Sequence, residues 1–134
     1  MAIDTRQLQA VVMLPGPQRY DYFIRRVAES GVVWGLYGQG WALAKKDDGT
    51  LVFPLWPERA FAALCADYEW TGYVPHSFAL DELLNELLPQ LEQDGIVTGV
   101  FYTPGARDVM PRAALLRKDL HDALRRRGAQ GEPQ

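Results

Sequence analysis

Phe53-Pro54-Leu55-Trp56-Pro57-Glu58-Arg59, "FPLWPER", contains a tryptophan between two prolines. Pro54 has no N–H to donate to a neighbouring strand, so we expect its strand to lie at the edge of a sheet or to end there. Pro57 favours an extended Trp56 and suits the first position of a helix, while Glu58 adds a carboxylate to the positive end of that helix. The stretch therefore predicts a strand-to-helix corner pinned by Trp56. A proline-rich ligand would need an exposed and flexible context instead.

The segments before this corner change from helical to strand periodicity. "TRQLQAVV" predicts a short helix, and apolar residues recur at helical spacing in residues 17–31, where Gly31 suits the helix end. "VVWGLYG", "GWALAKK" and "TLVFPLW" are short, rich in aromatic and β-branched residues, and separated by Gly-Gln-Gly and Asp-Asp-Gly. These three segments predict an antiparallel meander.

Helices and strands alternate after the corner. "PERAFAALCADYE" predicts a helix and "VPHSFAL" a strand, and the leucines of "DELLNELLPQLEQDG" give the clearest helical stripe. Pro89 lies inside that stripe and is expected to kink the helix or remove one backbone bond on its outer face. "IVTGVFY" predicts a buried strand, "TPGARD" a loop, and the residues from Pro111 onward a last helix. This order predicts an α+β fold: a single, mainly antiparallel sheet (meander plus two further strands) with helices packed mainly on one face.

Length and composition predict one globular domain. The 134 residues are 48% hydrophobic and 23% charged, which is ordinary for a folded protein. We expect a single domain over residues 1–134, with a globular core at about residues 17–126 and a flexible tail at residues 127–134.

Cysteine usage and hydropathy indicate the compartment. The single Cys65 excludes an internal disulfide framework, the N-terminal residues carry charges where a signal peptide needs an apolar run, and no long uninterrupted apolar segment is present. We therefore expect a cytoplasmic protein with no membrane partner.

Charge is unevenly distributed along the chain, whose formal net charge is −3. Residues 1–106 contain 7 Lys or Arg against 13 Asp or Glu, whereas residues 107–134 contain 7 against 4. Part of this basic C-terminal segment suits the negative end of a helix, and Asp119 and Asp122 interrupt it. The pattern does not favour nucleic acid and fits an acidic protein partner at least as well.

The order of motifs resembles a known family. "VVWGL", "GWAL", "DDGTLVFPLWPERAFA" and "GYVPHSFALDELLNELLPQLEQDGIVTGVF" are similar to the bacterial family catalogued as domain of unknown function 2750. The likeness covers about residues 20–125, and its most specific piece is the P-L-W-P corner; Gly99 within "VTGVFY" is a small departure. The resemblance implies a small stand-alone bacterial domain and brings no catalytic residue, cofactor or substrate.

Candidate catalytic residues each have a simpler structural interpretation. Cys65 and His76 would form a nucleophile pair, but Cys65 falls in the apolar stripe of its helix. His76 and His121 lack metal ligands at useful spacing, and the glycines of "GLYGQGW" precede a strand, whereas a phosphate site needs a helix there. Asp67 and Glu69 lie near aromatic residues, as in sugar sites, yet they are ordinary loop residues too. The sequence therefore predicts no cofactor, no metal and no catalytic site.

Two functional hypotheses remain. The first is a non-catalytic protein-interaction, adaptor or immunity-type module that uses Trp70 and Tyr73 as contact residues if they are exposed; self-association is a variant of it. The second is a small ligand-binding protein or enzyme with a pocket near His76 and the Tyr68–Tyr73 loop, in which His76 would act with Asp67 or Glu69.

Overall fold

A computed structural model of the protein describes residues 5–101 and 110–131. The helical elements are α1 (Thr5–Val12), α2 (Gly16–Ser30), α3 (Arg59–Glu69), α4 (Leu80–Glu82), a π-helical turn (Leu83–Leu87), α5 (Leu88–Asp94) and α6 (Ala113–Gly131). The strands are β1 (Val32–Tyr37), β2 (Ala44–Lys45), β3 (Leu51–Leu55), β4 (Val74–Ala79) and β5 (Val97–Val100).

The strands form two small sheets in a mixed α/β fold. β1 pairs with β4 in antiparallel fashion, while β3 lies between antiparallel β2 and parallel β5. Trp34 and Trp56 connect the two sheets by exchanging both backbone hydrogen bonds, each 2.9 Å long. The predicted mixture of helices and strands is confirmed, but the single sheet and the three-stranded meander are wrong.

Pro54 explains why the meander breaks. The backbone groups of Val52 face β2, and those of Trp56 face Trp34 on the same side of β3, so the nitrogen of Pro54 points to that side as well. Continuing the β2–β3 ladder by one more hydrogen-bonded pair would join Ala42 to Pro54, which has no N–H. Ala42 donates to the Leu36 carbonyl oxygen instead, at 2.9 Å. Pro54 therefore lies in a central strand rather than at an edge, at the place where pairing changes from β2 to β1, and the strand ends one residue later, at Leu55, as the other alternative of the prediction requires.

The strand-to-helix corner is present and buried. Trp56 is fully buried, and its ring meets Trp70 edge-on with centroids 6.1 Å apart. Glu58 lies at the N-cap, the positive end of α3, makes no side-chain cap bond there, and directs its hydrogen bonds to α2. Arg26 Nε donates to Glu58 at 2.7 Å and the Tyr22 hydroxyl donates to it at 3.2 Å. The corner is thus tied to α2 by an ion pair as well as by apolar burial.

The leucine-rich helix accommodates Pro89 through a π-helical turn. The Leu88 N–H donates to the Leu83 carbonyl, five residues back. The Leu84 carbonyl therefore lacks the donor four residues ahead that an α-helix would supply. The next donor in that pattern would be residue 89, a proline. Arg117 Nε, from α6, donates to the Leu84 carbonyl at 2.8 Å. The expected loss of a backbone bond occurs, and a side chain from another helix replaces the donor.

One continuous core joins the sheets to the helices. α3 packs on β1 and β4, whereas α6 packs on β5, α2 and α5. Cys65 is buried in this core, as its apolar stripe predicts. Thr98 is also buried, and its N–H and hydroxyl both donate to the Pro111 carbonyl, which fixes the start of α6 on β5.

The ends of the fold differ in part from the sequence prediction. α6 continues through Gly131, beyond the expected end of the globular core at residue 126, while residues 132–134 lie outside the described residues. The predicted loop "TPGARD" also lies outside them, in residues 102–109. Within the described residues, no helix combines the length and apolarity needed to cross a membrane.

Candidate functional site

Trp41 lies directly on the backbone of β1. A Cβ atom at Gly35 would come within 2.9 Å of Trp41 Cζ3, so only glycine leaves space for the ring at this position. The Trp41 ring meets Tyr37 and His76 edge-on, with centroids 5.2 and 5.4 Å apart, and contacts Phe53 on β3 at 5.7 Å. Trp41 therefore joins the two sheets on the side of β1 that carries Gly35 and Tyr37.

Part of this cluster is open to solvent. Tyr37 and Val74 are register partners in the β1–β4 ladder, with exposures of 40% and 59%. His76 is exposed beside them, and Trp41 and Tyr73 are half-buried. We call these five residues, Tyr37, Trp41, Tyr73, Val74 and His76, the aromatic surface. It is an apolar area at one end of the β1–β4 sheet.

A groove borders the aromatic surface between residues 37–39 and residues 71–74. Its volume is about 570 Å³. The Tyr73 ring lies against Gly38, where a Cβ atom would be 3.1 Å from two ring carbons, so the turn and the loop are in direct contact. Gly72 has a φ of 92°, a left-handed conformation that favours glycine and turns the loop toward β4. Tyr37, Gln39, Thr71 and Tyr73 are among the lining residues, which carry no charge and offer both apolar surface and hydrogen-bonding groups.

The free edge of β4 offers an incomplete set of backbone groups for further strand pairing. The alternation of the ladder directs the backbone groups of residues 75, 77 and 79 away from β1. Pro75 has no N–H, His76 Nδ1 donates to the Ser77 carbonyl at 3.0 Å, and the Ala79 N–H donates to Glu82 Oε1 at 3.5 Å. A proline and local side-chain bonds are among the devices that protect edge strands from adding another chain. This surface is therefore built to make contacts through side chains.

The site residues predicted from the sequence do not form one group. Trp70 is only 8% exposed and packs on Trp56, so the condition under which it would serve as a contact residue is not met. Tyr73 and His76 belong to the aromatic surface. Asp67 is exposed on α3, and the side chain of Glu69 lies outside the described set.

His76 makes no catalytic pair with the carboxylates that the structure describes. Its described hydrogen bond is the one to the Ser77 carbonyl, and no described carboxylate bonds to it. Cys65 is in the core and away from solvent, as a small apolar side chain would be. Among residues 5–101 and 110–131, no group of three or more His, Cys, Asp and Glu side chains has the spacing of a metal site.

Tyr37, Trp41 and Val74 are the members of the aromatic surface that sequence reasoning did not select, and Val74 carries the least signal of the three. Its position opposite Tyr37 follows only from the β1–β4 register, which skips 36 residues between the strands. The signal available in the sequence was Gly35 inside a strand pattern, because a glycine in a strand interior often marks the close approach of another group.

A comparison with protein families gives one result. A family model described as "Protein of unknown function (DUF2750)" matches residues 20–120, a range that contains the corner and the whole aromatic surface. The match confirms the resemblance drawn from the sequence motifs. Among curated proteins, none matches the chain.

Proposed function

The chain belongs to the DUF2750 family of proteins of unknown function, and on that premise we propose that it is a non-catalytic module that binds another protein through the aromatic surface. The observation that carries the proposal is the exposure of large apolar side chains at one place. Tyr37, Leu43 and Val74 are three of the five exposed large hydrophobic residues among those described, and all three lie on the segments around Trp41. Contact areas of this kind are enriched in aromatic residues and dominate binding energy.

The geometry supports a particular mode of binding. On the β4 edge, Pro75 has no N–H, and the Ser77 carbonyl and the Ala79 N–H already bond to nearby side chains. Pairing of a partner's strand with this edge is therefore disfavoured. The partner is therefore expected to place apolar side chains against Tyr37 and Val74, with Trp41 and the Gly35 backbone forming a rigid base beneath them. An adaptor, a regulator and an immunity-type inhibitor all use such contacts. The proposal includes a bacterial, cytoplasmic setting, which cell fractionation tests.

Paired bait variants test this proposal. Val74→Glu places a charge in the aromatic surface, and Leu115→Glu is the matched control because Leu115 is similarly exposed, at 50%, on α6. We expect a protein captured from native lysate by the wild-type chain to be lost with Val74→Glu and retained with Leu115→Glu. A bait that recovers the same proteins with either substitution would contradict the proposal.

Size-exclusion chromatography identifies the case in which the partner is a second copy. A wild-type dimer that becomes a monomer on Val74→Glu, but not on Leu115→Glu, would assign the aromatic surface to self-association. If the wild-type chain is a monomer and captures no protein from the lysate, the result counts against a protein partner.

The groove beside the aromatic surface supports a second candidate function, binding of a small neutral ligand. Its volume of about 570 Å³ falls in the usual range for ligand sites, and Tyr37 and Tyr73 flank polar groups from Gln39 and Thr71. A thermal-shift screen with wild-type protein, Tyr73→Ala and His76→Ala tests it. A ligand that stabilises the wild type and not Tyr73→Ala supports the groove; an equal shift in all three proteins excludes it and any role for His76.

A further inference from the structure

A second surface, on the helices, has a different chemistry. α2 and α6 pack side by side, and a cleft of about 350 Å³ opens between residues 25–29 and residues 123–127. Ala28 and Ala123 are buried along it, and Arg25, Arg126 and Arg127 line it. We call it the arginine cleft.

The cations next to the cleft have carboxylate partners. Arg26 pairs with Glu58 at 2.7 Å and with Glu29 at 2.8 Å. On α6, Lys118 and Arg125 both pair with Asp122. The acidic side chains of this region are thus already engaged with neighbours of the cleft.

The three arginines of the cleft have no such partners. Among the described residues, no carboxylate oxygen lies within 4 Å of a nitrogen of Arg25, Arg126 or Arg127. Glu29, which also lines the cleft, pairs with Arg26, a cation that it shares with Glu58. The negative end of α6 does not account for Arg126 and Arg127, because the helix continues to Gly131 and has no basic residue in its last turn. Arg25 comes from the middle of another helix and adds a third guanidinium to the same concavity.

We propose that the arginine cleft binds a compact phosphate-bearing anion, such as a free phosphate or a small phosphate ester. Guanidinium groups present planar pairs of N–H donors that match phosphate oxygens, and three of them from two helices neutralise the charge of one or two phosphoryl groups. The buried alanines leave the space for it. This inference is independent of the protein contact proposed for the aromatic surface.

The surroundings favour a compact anion over a nucleic acid. A nucleic-acid backbone requires a positive stripe that follows several phosphates. Here Glu29 lines the cleft itself, and Asp122 lies one residue before Ala123, so carboxylates limit the positive area to the cleft.

Titration of the full-length chain with inorganic pyrophosphate tests the inference. We expect saturable binding by calorimetry, with amide shift changes in the NMR spectrum confined to residues 25–29 and 123–127. Arg126→Gln combined with Arg127→Gln is expected to weaken it on the order of tenfold or more, because charge-assisted bonds to phosphate are lost. Lys45→Gln combined with Lys46→Gln makes the same change of net charge on the exposed β2 hairpin and is expected to have little effect.

Three outcomes would overturn the inference. One is the absence of saturable pyrophosphate binding by the folded wild-type chain. Another is equal weakening by the two double variants, which would indicate general charge attraction. The third is tighter binding of a single-stranded oligonucleotide, with a salt dependence that corresponds to several phosphates, which would assign the arginines to an extended nucleic-acid surface. Unchanged circular dichroism in both double variants confirms that lost binding does not reflect unfolding.

Discussion

The corner at residues 53–59 and the helical segment at residues 80–94 each contain a proline that removes a backbone donor, and the chain compensates for the two losses differently. At Pro54 the strand changes partner: the chain pairs with β2 before this residue and with Trp34 of β1 after it. The missing N–H therefore faces the point between these two partners. At Pro89 the helix widens into a π-helical turn, and Arg117 donates to the Leu84 carbonyl. The first compensation lies in the backbone register, while the second depends on one side chain. The corner should therefore respond to loss of packing, and the helical segment to loss of a single hydrogen bond.

Trp56→Ala is expected to cause the largest loss of stability. Removing a fully buried tryptophan leaves a cavity beside Trp70, and such truncations cost about 3–5 kcal/mol of unfolding free energy. Trp41→Ala is the matched comparison. Because Trp41 is only half-buried, its removal should lower the free energy of unfolding clearly less. Urea denaturation followed by circular dichroism measures both, and Trp56→Phe keeps a folded variant available if Trp56→Ala does not fold. Equal losses at Trp56 and Trp41 would remove the distinction between a structural and a surface tryptophan.

Arg117→Met tests the compensation at Pro89. The variant keeps much of the aliphatic stem and removes the Nε donor, which leaves the Leu84 carbonyl unsatisfied at a cost of about 1–3 kcal/mol. Pro89→Ala restores a backbone N–H in the helix, so Arg117→Met should cost less in that background. A double-mutant cycle in urea measures this coupling. Lys118→Met is the control, because its surface pair with Asp122 contributes little.

Additivity in that cycle would contradict the assigned role. If Arg117→Met costs the same with proline and with alanine at position 89, the guanidinium does not replace the donor that Pro89 lacks. A smaller cost with alanine distinguishes this hydrogen bond from general packing of the arginine stem.

The sequence predicted those features of the fold that depend on neighbouring residues. Gly31 and Gly95 end their helices in the left-handed conformation, with φ of 73° at each, as their positions indicated. The corner at Trp56 was predicted from Pro57 for the same local reason. The meander was wrong because the direction of the Pro54 nitrogen depends on register, and no local pattern specifies register between strands.

The candidate site could be predicted only in part, for a related physical reason. Tyr73 and His76 were selected because they lie on a polar loop and an alternating strand, and both lie on the aromatic surface. Trp70 was selected for the same reason but packs on Trp56, a contact that depends on how α3 docks. The role of Arg117 was equally inaccessible, since its partner is 33 residues earlier in the chain.

Gly35→Ala should have a smaller effect, concentrated on the strand side of the molecule. The new Cβ would lie 2.9 Å from Trp41 Cζ3, so the ring must move, at a cost of about 1–2 kcal/mol, the lower part of the usual range for overpacking because the ring is half-exposed. Gly40→Ala is the control, because a Cβ there meets no atom within 4 Å. Fluorescence reports the displacement of Trp41 when the comparison is repeated in a Trp41→Phe background, because Trp34, Trp56 and Trp70 also emit. Identical spectra and stabilities for the two variants would show that Gly35 is not the base of the aromatic surface.

The smallest effect is expected from alkaline pH, and it should appear on the helical side. The Tyr20 hydroxyl donates to Asp119 and joins α2 to α6; burial and then this bond raise the Tyr20 pKa above its ordinary value of about 10. The folded state therefore holds the proton more tightly than the unfolded state. The resulting stabilisation is complete below about pH 10 and is lost as pH rises through the folded-state pKa, because the unfolded chain releases its proton first.

Tyr20→Phe removes this titration and should flatten the decline of unfolding free energy above pH 10, measured by urea denaturation at a series of pH values. Burial and Glu58 also raise the pKa of Tyr22, so Tyr22→Phe should remove a further part of the slope, and the double variant more than either. Hydrogen exchange in the same series should show α2 and α6 opening before the pair formed by Trp34 and Trp56, whose two backbone hydrogen bonds do not titrate. A slope in Tyr20→Phe equal to that of the wild type would mean that the α2–α6 contact does not depend on this proton, and the expected difference in alkaline stability between the helical layer and the corner would fail.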